Sequence, residues 1–83
     1  EFRRVLFRSV AAELRKKGRT SEEADALAAT VDEHMIEAAA HEHGVGSIGD
    51  GHILQWLADH KEQILAIAQT IAAILVLFAD NGQ

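Results

Sequence analysis

The sequence has no cysteine, no proline and no tyrosine among its 83 residues, and only one tryptophan. Without cysteine the chain can form neither a disulfide framework nor a thiolate zinc site. With few aromatic residues and few β-branched runs, it has little from which to build a β-sheet. Alanine, leucine, isoleucine, glutamate, lysine and glutamine dominate instead, and these residues favour helix. We therefore predict one small all-α domain, near the size at which a single core is only marginally stable.

The charge balance is acidic, with a formal net charge of −5 at pH 7. Nucleic-acid binding requires a basic face that neutralises phosphates. An acidic chain of this kind offers no such face, so nucleic acid is not expected as a partner.

The opening stretch EFRRVLFRS differs in composition from everything after it. Three of its nine residues are arginine and two are phenylalanine. Its three arginines and one glutamate give it a net charge of +2, so without it the net charge falls from −5 to −7. The stretch lacks the long apolar segment of a signal sequence. Two interpretations of this stretch follow. It is either an Arg-rich targeting or membrane-surface arm, or a segment that does not belong to the native protein.

All nine residues of EFRRVLFRS match the translation of a widely used short-read sequencing adapter, and the stretch resembles that adapter over residues 1–9 only. The resemblance implies an untrimmed environmental or transcriptome read. It also implies that residues 1–9 carry no functional information and that the native N-terminus lies outside this sequence. No protein family is recognised in residues 10–83.

Helical periodicity and end signals divide the chain into three predicted helices. The first covers about residues 2–17 and the second about 21–43, and their brief connection predicts an αα-hairpin. The segment Thr20–Glu23 has the spacing of a capping box. A Gly-rich link at 44–50 then leads to a long C-terminal helix at about 51–80.

The C-terminal helix carries an apolar seam whose members are spaced alternately four and three residues apart, with one polar member. This spacing is the heptad pattern of a coiled coil, in which a single polar residue sets register and oligomeric state. The seam consists of Ile53, Leu57, His60, Ile64, Ile67, Ile71, Ile74 and Phe78.

The end of this helix, residues 71–79, is apolar all round and must therefore be buried in protein or in lipid. The Ala-rich partner helices are too short to cover it, so we expect self-association through residues 53–79 into a homo-oligomer. The alternative is a small membrane-inserting or single-pass protein, holin-like or toxin-like, that uses residues 64–79. Trp56 is either a packing anchor or a residue of the membrane interface. The cellular location would be the cytoplasm or the inner membrane.

Candidates for chemistry are few. The segment 44–49 reads G-x-G-x-x-G, but it follows a helix where the dinucleotide motif requires a strand, so we interpret it as a flexible loop. His34, Glu37 and His41 share one helix flank and are weak candidates for a zinc site, which would make the chain a His-rich metal-binding protein. Solvated histidines at the border of an apolar face are the simpler interpretation. No cofactor, no small-molecule substrate and no catalytic residue is evident, so we predict a protein that is not an enzyme.

Overall fold

The computed structural model of the chain describes residues 2–44 and 52–81. It contains five α-helices and one short 3-10 helix, and these residues include no strand, which confirms the all-α prediction. In chain order the helices are α1 (Phe2–Lys16), α2 (Ser21–Ala28), α3 (Glu33–Glu42), α4 (Ile53–Asp59), the 3-10 helix (Lys61–Gln63) and α5 (Ile64–Asn81).

Helix α1 ends in a Schellman motif at Gly18. The backbone N–H of Arg19 donates to the carbonyl oxygen of Leu14 at 3.2 Å, and the backbone N–H of Gly18 donates to the carbonyl oxygen of Arg15 at 3.0 Å. Gly18 takes a φ of +95°, a left-handed conformation that a side chain disfavours. Lys17 to Thr20 then turn the chain, and α2 packs against α1 as the hairpin prediction requires.

The predicted helix 21–43 is two helices in the structure. The capping box at its start is confirmed, because the Thr20 side chain accepts from the N–H of Glu23 and the Glu23 side chain accepts from the N–H of Thr20. Helix α2 nevertheless ends at Ala28. Asp32 caps a new helix by accepting a hydrogen bond from the N–H of Met35 at 3.0 Å. This break allows α2 to pack on α1 while α3 packs on α4 and α5.

The predicted helix 51–80 begins at Ile53 and is interrupted at His60. The backbone of His60 leaves the helical region, with φ −128° and ψ +55°. Its Nδ1 lies 2.8 Å from the carbonyl oxygen of Trp56, and it thereby satisfies a carbonyl at the end of α4. The 3-10 helix then leads directly into α5, which is the long C-terminal helix of the prediction.

The hydrophobic core lies where α5 meets α1 and α3, with α4 closing one side. α5 contributes four of the ten larger buried apolar side chains, more than any other helix. The larger buried apolar residues are Leu6, Val10, Leu14, Ile36, Ile53, Leu57, Ile64, Ile67, Ile71 and Leu75. The predicted link at 44–50 lies outside the described residues except for Gly44, whose φ of +84° ends α3.

Candidate interaction surface

Most of the predicted seam faces the interior of the chain itself. Five of its eight members are at most 5% exposed and belong to the core, namely Ile53, Leu57, Ile64, Ile67 and Ile71. They pack within one copy of the protein and are not available as a surface between folded copies. The regular spacing of these five residues is used in the intramolecular core, whereas self-association through residues 53–79 stays a prediction.

The last two members of the seam turn out of the core. Ile74 is half-buried and Phe78 is 67% exposed, whereas Leu75 is buried in their place. A straight α-helix drifts about 20° per heptad relative to a strict seven-residue repeat. Ile74 and Phe78 therefore stand only about 20° around the helix from Ile67 and Ile71, one heptad earlier, and Phe78 lies in the last turn of α5.

The opposite side of α5 carries a continuous exposed strip, which we call the outer strip. It consists of Leu65, Gln69, Ala73 and Leu77, which follow one another at four-residue spacing. Leu65 is 55% exposed and Leu77 is 61% exposed. Each four-residue step turns about 40° around the helix, so the strip winds by about 120° from Leu65 to Leu77, and Phe78 is exposed about 100° from Leu77. No charged residue occurs between Ile64 and Ala79.

Charged residues lie one turn beyond each end of the outer strip. Lys61 and Glu62 are exposed before Leu65. Asp80 follows Leu77, and its carboxylate lies 2.9 Å from the guanidinium of Arg19. Arg19 also lies 3.9 Å from the carboxylate of Glu23, so it joins the α1–α2 turn to the end of α5. The outer strip is thus an uncharged segment with polar ends.

Near the middle of α5, Gln69 and Thr70 interrupt the apolar sequence in different ways. The Thr70 hydroxyl donates to the carbonyl of Ala66 at 3.2 Å, and it lies 2.7 Å from the Nε2 of His43 at the end of α3. Thr70 is therefore satisfied within the chain. Gln69 is exposed near the centre of the outer strip.

His60 and Trp56 form a stacked pair beside the core. Their ring centroids are 4.2 Å apart and their planes are inclined by 10°. Both residues are half-buried, and Trp56 packs against the hydrophobic core. His60 thus ends α4 and stacks on its own chain, and it is not a polar member of a continuous helical seam. Trp56 packs against the core, as expected if it is a packing anchor.

The three candidate metal ligands are not gathered into a site. His34 and His41 are exposed on α3, and Glu37 between them is half-buried. Across residues 2–44 and 52–81, no three histidine, cysteine, aspartate or glutamate side chains are grouped so that they could hold a metal ion. The G-x-G-x-x-G segment lies outside the described residues beyond Gly44.

A groove of about 480 Å³ opens between α1 and the turn after α2. Its walls include Arg4, Leu6 and Phe7 on one side and Ala28 and Val31 on the other. The first wall belongs to the stretch that resembles an adapter. If residues 1–9 are adapter sequence, as that resemblance implies, the groove carries no information about the native function.

The chain matches no family model, no curated protein and no solved structure. Within the described residues, one segment, Lys61–Asp80, is long and apolar enough to cross a membrane, with a mean hydropathy of 1.9 over its best window. Of that window, 33% is buried in the fold. A core helix of a soluble protein satisfies the same criterion of length and composition.

Proposed function

We propose that this protein is a small, non-enzymatic helical interaction module that self-associates through the outer strip of α5. The observation that carries the proposal is the exposure of Leu65 and Leu77, each more than half accessible, in a segment of α5 without charge. Exposed large apolar side chains favour contact with another apolar surface. Because the predicted seam is used inside the chain, the outer strip replaces it as the surface for assembly.

Self-association through this face leaves the fold intact. The buried side of α5 keeps its contacts with α1 and α3, and only the solvent-facing side is covered. Burying a large aliphatic side chain contributes about 1.5–3 kcal/mol when it starts fully exposed. Leu65 and Leu77 are each partly covered already, so each provides part of that amount per copy.

The test compares two neighbouring residues of α5. Leu77→Ala removes a side chain from the outer strip, whereas Phe78→Ala removes a larger and similarly exposed side chain that lies outside the strip. We expect light scattering of the full chain, across a concentration series, to give a mass that rises with concentration. We expect Leu77→Ala to suppress this rise and Phe78→Ala to leave it unchanged. A full chain that is monomeric throughout the series would contradict self-association.

Membrane insertion is the second candidate, and the hydropathy of Lys61–Asp80 favours it. The 20 residues of this segment span about 30 Å as a helix, which matches the hydrocarbon core of a bilayer. Insertion would require α5 to leave the core, because Ile67 and Ile71 are fully buried there. Self-association needs no such rearrangement, and for this reason we place it first.

Co-sedimentation with vesicles distinguishes the two candidates. Insertion predicts that the full chain pellets with phosphatidylcholine vesicles and resists carbonate extraction. Because a bilayer surrounds the helix on all sides, Leu77→Ala and Phe78→Ala should then weaken binding to a similar extent. Self-association predicts that the chain stays in the supernatant. In that case Leu77→Ala, and not Phe78→Ala, should lower the mass that light scattering measures.

A further inference from the structure

We infer that two copies of this chain can exchange their α5 helices, so that α5 of each copy packs on α1 and α3 of the other. The junction between α4 and α5, residues 60–63, is the hinge that straightens in this exchange. We call the single chain, with α5 on its own α1 and α3, the closed chain. The inference goes beyond the proposed function, because exchange does not use the outer strip.

The fold itself supplies the partner for the face that opening uncovers. When α5 leaves the closed chain, it exposes the faces of α1 and α3 on which it packs. It also exposes its own apolar face, whose members are at most 5% exposed in the closed chain, namely Ile64, Ile67, Ile71 and Leu75. These two surfaces are complementary, and a second copy offers both. Exchange of an identical element re-forms the contacts that opening breaks, and it is therefore a low-cost route to a dimer.

The junction is able to continue as a helix. Residues 53–81 contain no glycine, serine or proline, and glycine–serine pairs and proline are common causes of a sharp break in a helix. The heptad spacing from Ile53 to Phe78 also runs through the junction without a gap. One straight helix would keep Ile53 and Leu57 in the core of their own copy and carry Ile64 to the core of the other.

The His60 side chain holds the break in the closed chain. In a continuous helix, the carbonyl oxygen of Trp56 would accept from the backbone N–H of His60. That N–H instead donates to the carbonyl oxygen of Leu57 at 3.1 Å. The Nδ1 of His60 takes its place, 2.8 Å from the carbonyl oxygen of Trp56, and the two rings stack. A side chain that enters the ladder of helical hydrogen bonds breaks the helix, so removing this ring favours the straight junction.

The closed chain and the exchanged dimer differ mainly at the junction, because their other contacts are the same. In the closed chain, the junction holds α5 near its site at an effective concentration on the order of millimolar. We therefore expect closed monomers in dilute solution and exchanged dimers after refolding from urea at about millimolar protein. Such dimers should separate slowly on dilution, because Ile67 and Ile71 must leave the core.

The first test refolds the full chain from urea at high concentration, dilutes it and measures the dimer share at once by light scattering. His60→Ala removes the ring, and alanine favours helix more than histidine does. His34→Ala is the matched control, because it makes the same change at an exposed position of α3. Where the dimer is the minor species, its share in His60→Ala should exceed that in His34→Ala by at least about threefold. Equal shares would overturn the hinge at His60.

The second test keeps His60 and identifies which copy supplies α5. In the closed chain, Arg19 lies 2.9 Å from Asp80 of α5. After exchange, each Arg19 pairs with the partner's Asp80. Arg19→Asp sets two aspartates against each other, and Asp80→Arg sets two arginines against each other, both in closed chains and in self-paired exchanged dimers. In a mixed exchanged dimer of the two variants, each interface instead holds one aspartate and one arginine.

The two variants, one of them labelled with ¹⁵N, are refolded together, and native mass spectrometry counts the dimers. Random pairing gives mixed and self-paired dimers in equal amounts, and the unmodified chain mixed with its own labelled form is the control for this result. Exchange should make mixed dimers of the variants at least about threefold more abundant than self-paired ones. Equal amounts would overturn the exchange.

Failure of the exchange and failure of the proposed function give different results. A dimer that Leu77→Ala abolishes and that pairs at random would overturn the exchange and leave the outer strip as the surface for assembly. A dimer that persists in Leu77→Ala and favours mixed pairs supports the exchange without the outer strip. A chain that stays monomeric after refolding at high concentration would overturn both.

Discussion

The most direct consequence of the structure concerns Ile71, which the heptad pattern places on an intermolecular seam and the fold places in the core. Its side chain is fully buried within one chain. Truncating a buried isoleucine to alanine typically costs 2–5 kcal/mol, since it removes apolar contacts and leaves a cavity. We expect Ile71→Ala to lower the free energy of unfolding of the monomer by this amount.

That loss is large for a domain of this size. At about 0.05–0.15 kcal/mol per residue, an 83-residue domain has roughly 4–12 kcal/mol of stability in total. Ile71→Ala is therefore expected to unfold a substantial fraction of the protein if the true value is near the lower end. Ile71→Val keeps the fold measurable, because removing one methyl group costs about 0.5–1.5 kcal/mol.

The matched variant is Leu77→Ala on the same helix, whose side chain is 61% exposed. At a protein concentration low enough to keep the chain monomeric, it should change stability by no more than about 0.5 kcal/mol. Urea denaturation followed by circular dichroism and by fluorescence of the single tryptophan, Trp56, measures both variants. If Leu77→Ala cost as much as Ile71→Ala, or if Ile71→Ala cost less than about 0.5 kcal/mol, the assignment of Ile71 to the core would be refuted.

Three further predictions concern the cap, the ion pair and the first helix. Asp32→Ala should cost about 0.5–2 kcal/mol as the N-cap of α3 is lost, while Asp32→Asn should cost a few tenths, both measured by urea denaturation. A double-mutant cycle on Arg19 and Asp80 should give a coupling of about 0.2–1 kcal/mol that shrinks in 1 M salt, and an unchanged coupling there would contradict an exposed ion pair. Leu6→Ala should cost about 2–5 kcal/mol and Val5→Ala no more than about 0.5, and equal losses would show that Leu6 is not in the core.

The sequence was sufficient to predict the fold class, the first helix and the capping box at Thr20, because composition and local end signals determine them. The break before Asp32 was missed although its signal is local. Thr30, Val31 and Asp32 combine two β-branched residues with a strong N-cap residue. Apolar periodicity continues across this point, and it outweighed the capping signal in predicting a single helix over 21–43.

The break at His60 could not be predicted in the same way. Histidine is an ordinary residue inside a helix, and Asp59 and Lys61 beside it are no helix breakers. The interruption depends on the stack between His60 and Trp56 and on the contact of its Nδ1 with the Trp56 carbonyl oxygen. Helical residues four apart are neighbours in any case, so the sequence does not distinguish a continuing helix from this local cap.

Periodicity also cannot identify the partner of a buried face. The spacing of Ile64, Ile67 and Ile71 indicates that this side of the helix is covered, and the structure confirms it. The same spacing occurs whether the cover is a second chain or the Ala-rich helices of the same chain. Only the fold reveals that α1 and α3 provide the cover, and that the unpartnered apolar residues lie on the other side of α5.

The outer strip does not depend on the stretch that resembles an adapter. Its residues all lie between Leu65 and Leu77, and the part of α1 after residue 9 supplies Val10, Ala11 and Leu14 to the core. Leu6 also packs in that core, so burial alone says nothing about whether a residue belongs to the native gene. Replacing residues 1–9 would change the packing at the start of α1 and the groove beside it. Leu65 and Leu77 would keep their places on α5, joined by four-residue steps that wind about 120° around the helix.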